Sequence, residues 1–185
     1  VAGNWDDAGG TFAPGAGTII LSGDSKTITT KTGLGGNNFF NLTIAAGTKT
    51  AASDLNIDGA LLIDVGTLDM SSTDYTLDVG GDLTISNAGI FTPQESTTHD
   101  VAGNWDDAGG TFAPGAGTFI LSGGAGTTIS TADANSFNNL TIAASGDVTT
   151  STTVDVDVSN TFTVTTGGAF TVAAGHKLTL FDATI

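Results

Sequence analysis

Cysteine and arginine are both missing from the 185 residues, and basic character is reduced to four lysines, Lys26, Lys31, Lys49 and Lys177. Without cysteine no disulfide can staple the chain, so cohesion has to come from hydrogen-bonded ladders and packed side chains. Nineteen acidic residues leave a net charge of −15. Such a surface lacks the cations that release counterions from nucleic acid or bind anionic headgroups, which argues against both as partners. No apolar run approaches the ~18 residues that span a bilayer. No stretch of a dozen residues carries a helical apolar stripe free of glycine, so helices have little to form from.

What is plentiful is glycine, 27 residues, together with the strand formers threonine, valine, isoleucine and phenylalanine. Apolar and polar residues alternate in short bursts such as Leu55-Asn56-Ile57, Leu77-Asp78-Val79, Leu83-Thr84-Ile85 and Phe162-Thr163-Val164. Period two marks half-buried strands, and the glycine and Asn/Asp between bursts mark corners.

Two periods organise these bursts. Val101–Thr118 repeats Val1–Thr18 letter for letter, and Asn138–Ala144 answers Phe40–Ala46, a long period of about 100 residues. Inside it, a shift of about 22 residues lays Leu55 on Leu77, Ile57 on Val79, Gly59 on Gly81, Leu61 on Leu83 and Ile63 on Ile85. The next step carries Leu83 to Trp105, and single-residue gaps align Leu68, Phe91 and Phe112. In the second half Val156 and Val158 take the places of Leu55 and Ile57, Phe162 and Val164 those of Leu61 and Ile63, and Leu178 and Leu180 those of Leu77 and Val79.

Three short strands in each such unit predict an all-β fold, a parallel β-helix of about eight coils and roughly 40 Å. The general preference of parallel crossovers makes it right-handed. Residues 1–100 form a first repeat and 101–185 a second, truncated one, stacked as a single continuous solenoid. The structural alternative is a pair of β-sandwich domains joined by strand donation. One coil alone buries too few side chains to offset the ordering of its backbone, about 1–2 kcal/mol per residue, so coils depend on their neighbours.

The extremities follow from this. The chain begins at Val1, on the first residue of its own repeat, and stops in an apolar strand, as a piece of a longer array would. Val1 and Trp5 at one end, and Leu178, Leu180, Phe181 and Ile185 at the other, are expected assembly edges for head-to-tail stacking of one copy on the next.

Candidate chemistry is sparse, and no catalytic constellation is expected. Asp6-Asp7 and Asp106-Asp107 precede Ala-Gly-Gly and read as corners, since adjacent strand residues point to opposite faces. A lyase would need cations beside its substrate carboxylate, and few exist. His99 and His176 are expected at surface corners. Asp58, Asp82, Asn104 and Asp106 fall near coil corners and supply the hard oxygens that Ca²⁺ takes, the one cofactor considered. The outward row Leu62, Thr84, Asp106, Thr163 is too mixed for an ice-binding plane. Trp5 and Trp105 could stack on sugars but read more simply as core.

The runs NNLTIAA, GTLDM, YTLDVGGDLTISNAGIFTP and GNWDDAGGTFAPGAG resemble the β-strand repeats of very large bacterial surface proteins, the filamentous-haemagglutinin and autotransporter-passenger stalks. The resemblance implies an extracellular, cell-surface, rigid β-helical stalk, adhesive or filamentous, with no catalytic residues to carry over. A polysaccharide or another surface molecule would be its external target.

Overall fold

The computed structural model describes residues 1–31, 39–93, 95–132, 136–143, 147–150 and 155–181. Among these there is no helix; 21 short strands form three sheets of six, eight and seven strands. The pairings within each sheet are parallel. The chain visits the faces in rotation. Leu55–Ile57 lies on the seven-strand face, Leu61–Ile63 on the eight-strand face and Thr67–Asp69 on the six-strand face. Leu77–Val79 then returns to pair with Leu55–Ile57. The fold is a β-solenoid of about 22 residues per turn.

It has about seven turns, one fewer than expected. The longest face holds eight strands and therefore seven coil-to-coil steps, about 34 Å at the parallel strand spacing. The steps are uneven: Phe39 pairs with Ile57, Leu42 with Leu61, Trp5 with Ile28 and Trp105 with Ile129, so a turn consumes between 18 and 24 residues. Corner loops absorb the difference. Pairing runs without interruption past residue 100, with Val79 beside Val101 and Leu83 beside Trp105.

Period two delivers the interior. Leu42, Leu61, Leu83, Trp105 and Ile129 climb one face, Leu68, Phe91 and Phe112 another, and all are buried. At the corners, Gly59, Gly81 and Gly103 stack so closely that a Cβ on Gly81 would lie 2.8 Å from the Gly59 carbonyl oxygen, and one on Gly103 2.4 Å from the Gly81 carbonyl carbon. Close approach, not a left-handed backbone, is what requires glycine in this row.

Three expectations need correction. Phe162 and Val164 do not share the face of Leu61 and Ile63; they pair with Leu140 and Ile142 on the seven-strand face, and Thr163 with Thr141. Strand Val156–Val164 is paired in two segments, the register shifting between Phe137 and Asn139 in the coil below. The outward row from Leu62 through Thr84 to Asp106 therefore continues to Ser130 instead. His99 is not a surface corner. It is 0% exposed in strand Thr98–Val101, its ring 4.9 Å from that of Phe119. Its Nδ1 accepts the Leu77 N–H at 3.1 Å and its Nε2 lies 3.1 Å from Thr97 Oγ1. The interior also holds a lysine. Lys49 stands below Leu68 in its column, donating from Nζ to the carbonyl oxygens of Gly23 and Ala46. Burial pushes its ammonium below the usual lysine range, and Asp24 offsets this only in part.

Candidate assembly interface

The verbatim duplication folds the same way twice. Ala8 and Ala108 donate their N–H to Asp6 Oδ1 and Asp106 Oδ1 at 3.2 and 3.1 Å. Asn4 Oδ1 accepts the Thr27 N–H at 3.2 Å, as Asn104 Oδ1 accepts that of Thr128 at 2.8 Å. Asp7 Oδ1 takes the Lys31 N–H and Asp107 Oδ1 the Ala132 N–H, at 3.1 and 3.0 Å. Gly15 and Gly115 both have positive φ, 57° and 59°. The likeness reaches beyond the identical letters: Thr30 Oγ1 donates to the Asp54 carbonyl at 2.7 Å, and Thr131 Oγ1 to that of Asp155 at 2.8 Å. Asp-Asp is thus a corner device, each carboxylate committed to a different backbone amide.

Each copy also closes an aromatic triad. Trp5 meets Phe12 edge-on at 4.8 Å and Phe39 at 5.1 Å. Trp105 meets Phe112 edge-on at 4.8 Å and Phe137 at 5.0 Å. The third ring was missed in the sequence. Its signal was there: Phe39 and Phe137 each stand three residues before the leucine of the echoed Asn-Leu-Thr-Ile.

The two copies occupy different faces. Trp5–Asp6 and Lys26–Thr29 belong to the six-strand face, Trp105–Asp106 and Thr127–Ser130 to the eight-strand face. Thr18–Leu21 lies on the eight-strand face and Thr118–Leu121 on the seven-strand face. From Trp5 the six-strand ladder climbs four steps to Ile90–Thr92, and two further faces bring the chain to Trp105. One repeat therefore advances a third of a turn short of five turns.

They also differ in what lies beneath. Trp105 and Phe112 sit on Leu83 and Phe91 of the preceding coil, and Val101 on Val79; all three are buried. Trp5 and Phe12 are only half-buried and Val1 is 55% exposed. Strand Trp5–Asp6 is paired on one side only, with Lys26–Thr29; Thr18–Leu21 pairs with Asn41–Ile44 and is met on its other side by Val1, whose amine donates to the Ile20 carbonyl and whose carbonyl accepts the Ser22 N–H at 2.9 Å, as Val101 lies beside Leu121. Around Trp5 and Phe12, with Asn4, Asp6, Asp7 and Thr11, opens a cleft of about 360 Å³.

The opposite rim is formed by Ala169–Thr171 and Leu178–Leu180, each at the end of its sheet. Leu178, Leu180 and Phe170 are half-buried against the core and Phe181 is 52% exposed. Ile185 lies outside the described residues. This coil is fastened by Asp155, which accepts the Lys177 N–H at 3.1 Å and approaches Lys177 Nζ at 3.3 Å and His176 Nδ1 at 3.4 Å. The Lys177 amide and then its ammonium, with His176, hold the Asp155 carboxyl below its usual range.

The residues considered for calcium are spread along the corners. Asp82 Oδ1 accepts the Asn104 N–H at 2.7 Å, Asn104 Oδ1 accepts both the N–H and Oγ1 of Thr128, and Asp106 accepts within its own turn. Asp58 stands at the corner after Leu55–Ile57, its N–H donated to the Phe39 carbonyl at 2.8 Å. Among the described residues no three acidic, histidine or cysteine side chains gather into a cation cage. A direction emerges instead. Asn41, Asp54, Asp82, Asn104 and Asp155 each lend a side-chain oxygen to an amide of the following coil. No protein-family model matches this chain, and neither any curated protein nor any solved structure is significantly similar to it.

Proposed function

We propose that the chain is a structural segment of an extracellular filament or cell-surface stalk, lengthened by stacking coil upon coil, and that it performs no catalysis. One observation carries this reading. The duplicated 18 residues fold alike twice, and around Trp105 they continue the columns of the coil before them in unbroken parallel register, so that one repeat extends another without a break. Parallel strand edges are what such an extension adds to. The run-by-run resemblance to bacterial surface-protein repeats supports the extracellular setting, and the net charge of −15 suits a surface that stays solvated between contacts. Negative-stain electron microscopy of the purified chain is expected to show filaments one solenoid wide. A field of uniform short particles at high protein concentration would falsify the filament.

A second reading has its own observation in favour. The cleft at Trp5 and Phe12 places aromatic rings beside Asn4, Asp6 and Thr11, a combination suited to sugar stacking. A carbohydrate-binding, adhesive or carbohydrate-cleaving module would show a melting temperature raised by some member of a polysaccharide panel.

A further inference from the structure

We infer that His99 is an acid-sensitive clasp, which holds strand Thr98–Val101 to the coil beneath it while the ring is neutral and releases that rung of the seven-strand face when the ring is protonated. The ring is 0% exposed and lies inside the stack, between Leu77–Val79 below and Thr118–Leu121 above. Coils of this chain therefore enclose it on both sides. Its hydrogen bonds fix where its proton sits. The Leu77 N–H can only donate, so Nδ1, 3.1 Å from the Leu77 nitrogen, is the bare ring nitrogen. A neutral ring then carries its hydrogen on Nε2 and donates it to Thr97 Oγ1 at 3.1 Å. The Thr97 hydroxyl turns its own hydrogen to the Tyr75 carbonyl at 3.3 Å. Each donor in this relay meets an acceptor, and only the neutral ring protonated on Nε2 allows it.

A second ring proton would sit on Nδ1 and face the Leu77 N–H, donor against donor, with the new charge closed off from solvent. Other influences favour the charge. The face of Phe119, stacked on the ring, attracts a cation, and carboxylates surround the rung. Asp100, next on the same strand, points outward and accepts from Ser122 Oγ; Asp78 stands outward beside it in the strand below. Asp74 and Glu95 are exposed at the corner that carries Tyr75 and Thr97. Tyr75, titratable itself, meets this relay through its carbonyl. Strand Thr118–Leu121 brings no titratable side chain. Of the other buried charged groups, Asp107 follows Trp105–Asp106 on the eight-strand face and Lys49 lies below Leu68 on the six-strand face. The outward carboxylates act through solvent, where screening is strong. The clash of donors and the loss of hydration act at contact, and they keep the ring neutral while the rung is closed.

A histidine in an unfolded chain takes up its proton near pH 6.5, about the model-peptide value. Below that pH the unfolded chain gains a proton that the closed rung refuses, so the contribution of His99 to stability is full above it and is lost as pH falls. Urea denaturation of wild type, His99→Gln and His99→Phe between about pH 7 and pH 5 tests this. The unfolding equilibrium constant of wild type should rise more steeply on acidification than that of either variant, by up to about tenfold per pH unit. Comparing slopes cancels Asp78, His176 and every other group common to the three chains. Equal slopes overturn the clasp. Nitrogen NMR of the imidazole in His176→Gln, which leaves His99 as the single histidine, decides alone if neither His99 variant folds. At neutral pH it should show Nδ1 bare and Nε2 protonated. On acidification the doubly protonated ring should appear together with a fall in protection of the Leu77 amide, taken relative to its intrinsic exchange rate, and before any fall at Leu83, whose amide is bonded to Asn104. A bare Nε2, or a doubly protonated ring with the Leu77 amide still protected, overturns the clasp.

Discussion

Asp78 stands in an outward row between Asn56 and Asp100. Burial, then the charges of Asp100 and Asp58, hold its carboxyl above the usual range. A folded value above the unfolded one means that its contribution to stability is full below the unfolded pKa, about 3.9, and is lost as pH rises through the folded value. Asp78→Asn should therefore raise the melting temperature at pH 7 by about 1–3 °C, screening included, and leave it unchanged at pH 3. Equal melting at pH 7 would contradict the repulsion. His99 tests the interior. His99→Ala removes the ring stacked on Phe119 and strands the Leu77 amide, so denaturant unfolding should show a loss of roughly 2–4 kcal/mol. Its burial was legible: His99 stands two residues before Val101, on the same side of a strand, as Lys49 stands two before Ala51. What hid both was side-chain type, since a polar letter outweighs a period-two position unless its partners are known, and those come from other coils.

At the scale of strand and corner, the letters carried the columns well and the corners poorly. Leu61, Leu83 and Trp105 could be stacked from spacing alone because interior positions repeat in kind. The Asp and Asn of the corners read as turn formers or cation ligands, because sequence does not say towards which coil an oxygen turns. The structure turns Asn41, Asp54, Asp82, Asn104 and Asp155 towards amides of the following coil, while Asp6 and Asp106 accept within their own turns, and this predicts a contrast. Asp82→Asn keeps the acceptor of the Asn104 N–H and should be nearly neutral, while Asp82→Ala should cost about 0.5–2 kcal/mol in urea denaturation, as for a lost cap. If the two behave alike, charge matters there and the amide does not. Gly81→Ala is expected to cost more than either, above about 2 kcal/mol, because its Cβ would meet the Gly59 carbonyl with no flexible atom to yield. Ala88 is the converse case. It holds a φ of 72°, and Ala88→Gly should stabilise by about 0.5–1 kcal/mol in the same assay.

Over the whole molecule the two periods do not divide. The long repeat falls a third of a turn short of five turns, so the duplicated segment changes face, and Phe162 leaves the face of Leu61 although it keeps its place in the repeat. Alignment by letters conveys the first relation and conceals the second, because coil length varies at corners. Three equivalent faces make the rotation tolerable, and in a longer array three copies would return a segment to its starting face. The last described coil has a weakness that pH exposes. Asp155 is held below its usual range, so its contribution is present above the unfolded pKa and lost as pH falls through the folded value. The protection of the Leu178–Leu180 amides against hydrogen exchange, taken relative to the intrinsic rate at each pH, should therefore fall below about pH 4 before that of Leu83–Ile85 does; simultaneous loss would contradict a locally fastened end.

Coil stacking between copies is tested most directly by X-ray diffraction from aligned filaments of the chain. Strands crossing the long axis, each copy continuing the columns of the last, predict a sharp meridional reflection near 4.8 Å that runs coherently beyond the length of one molecule. A 4.8 Å reflection on the equator, or one no sharper than a single solenoid can give, would mean that the copies do not join rim to rim.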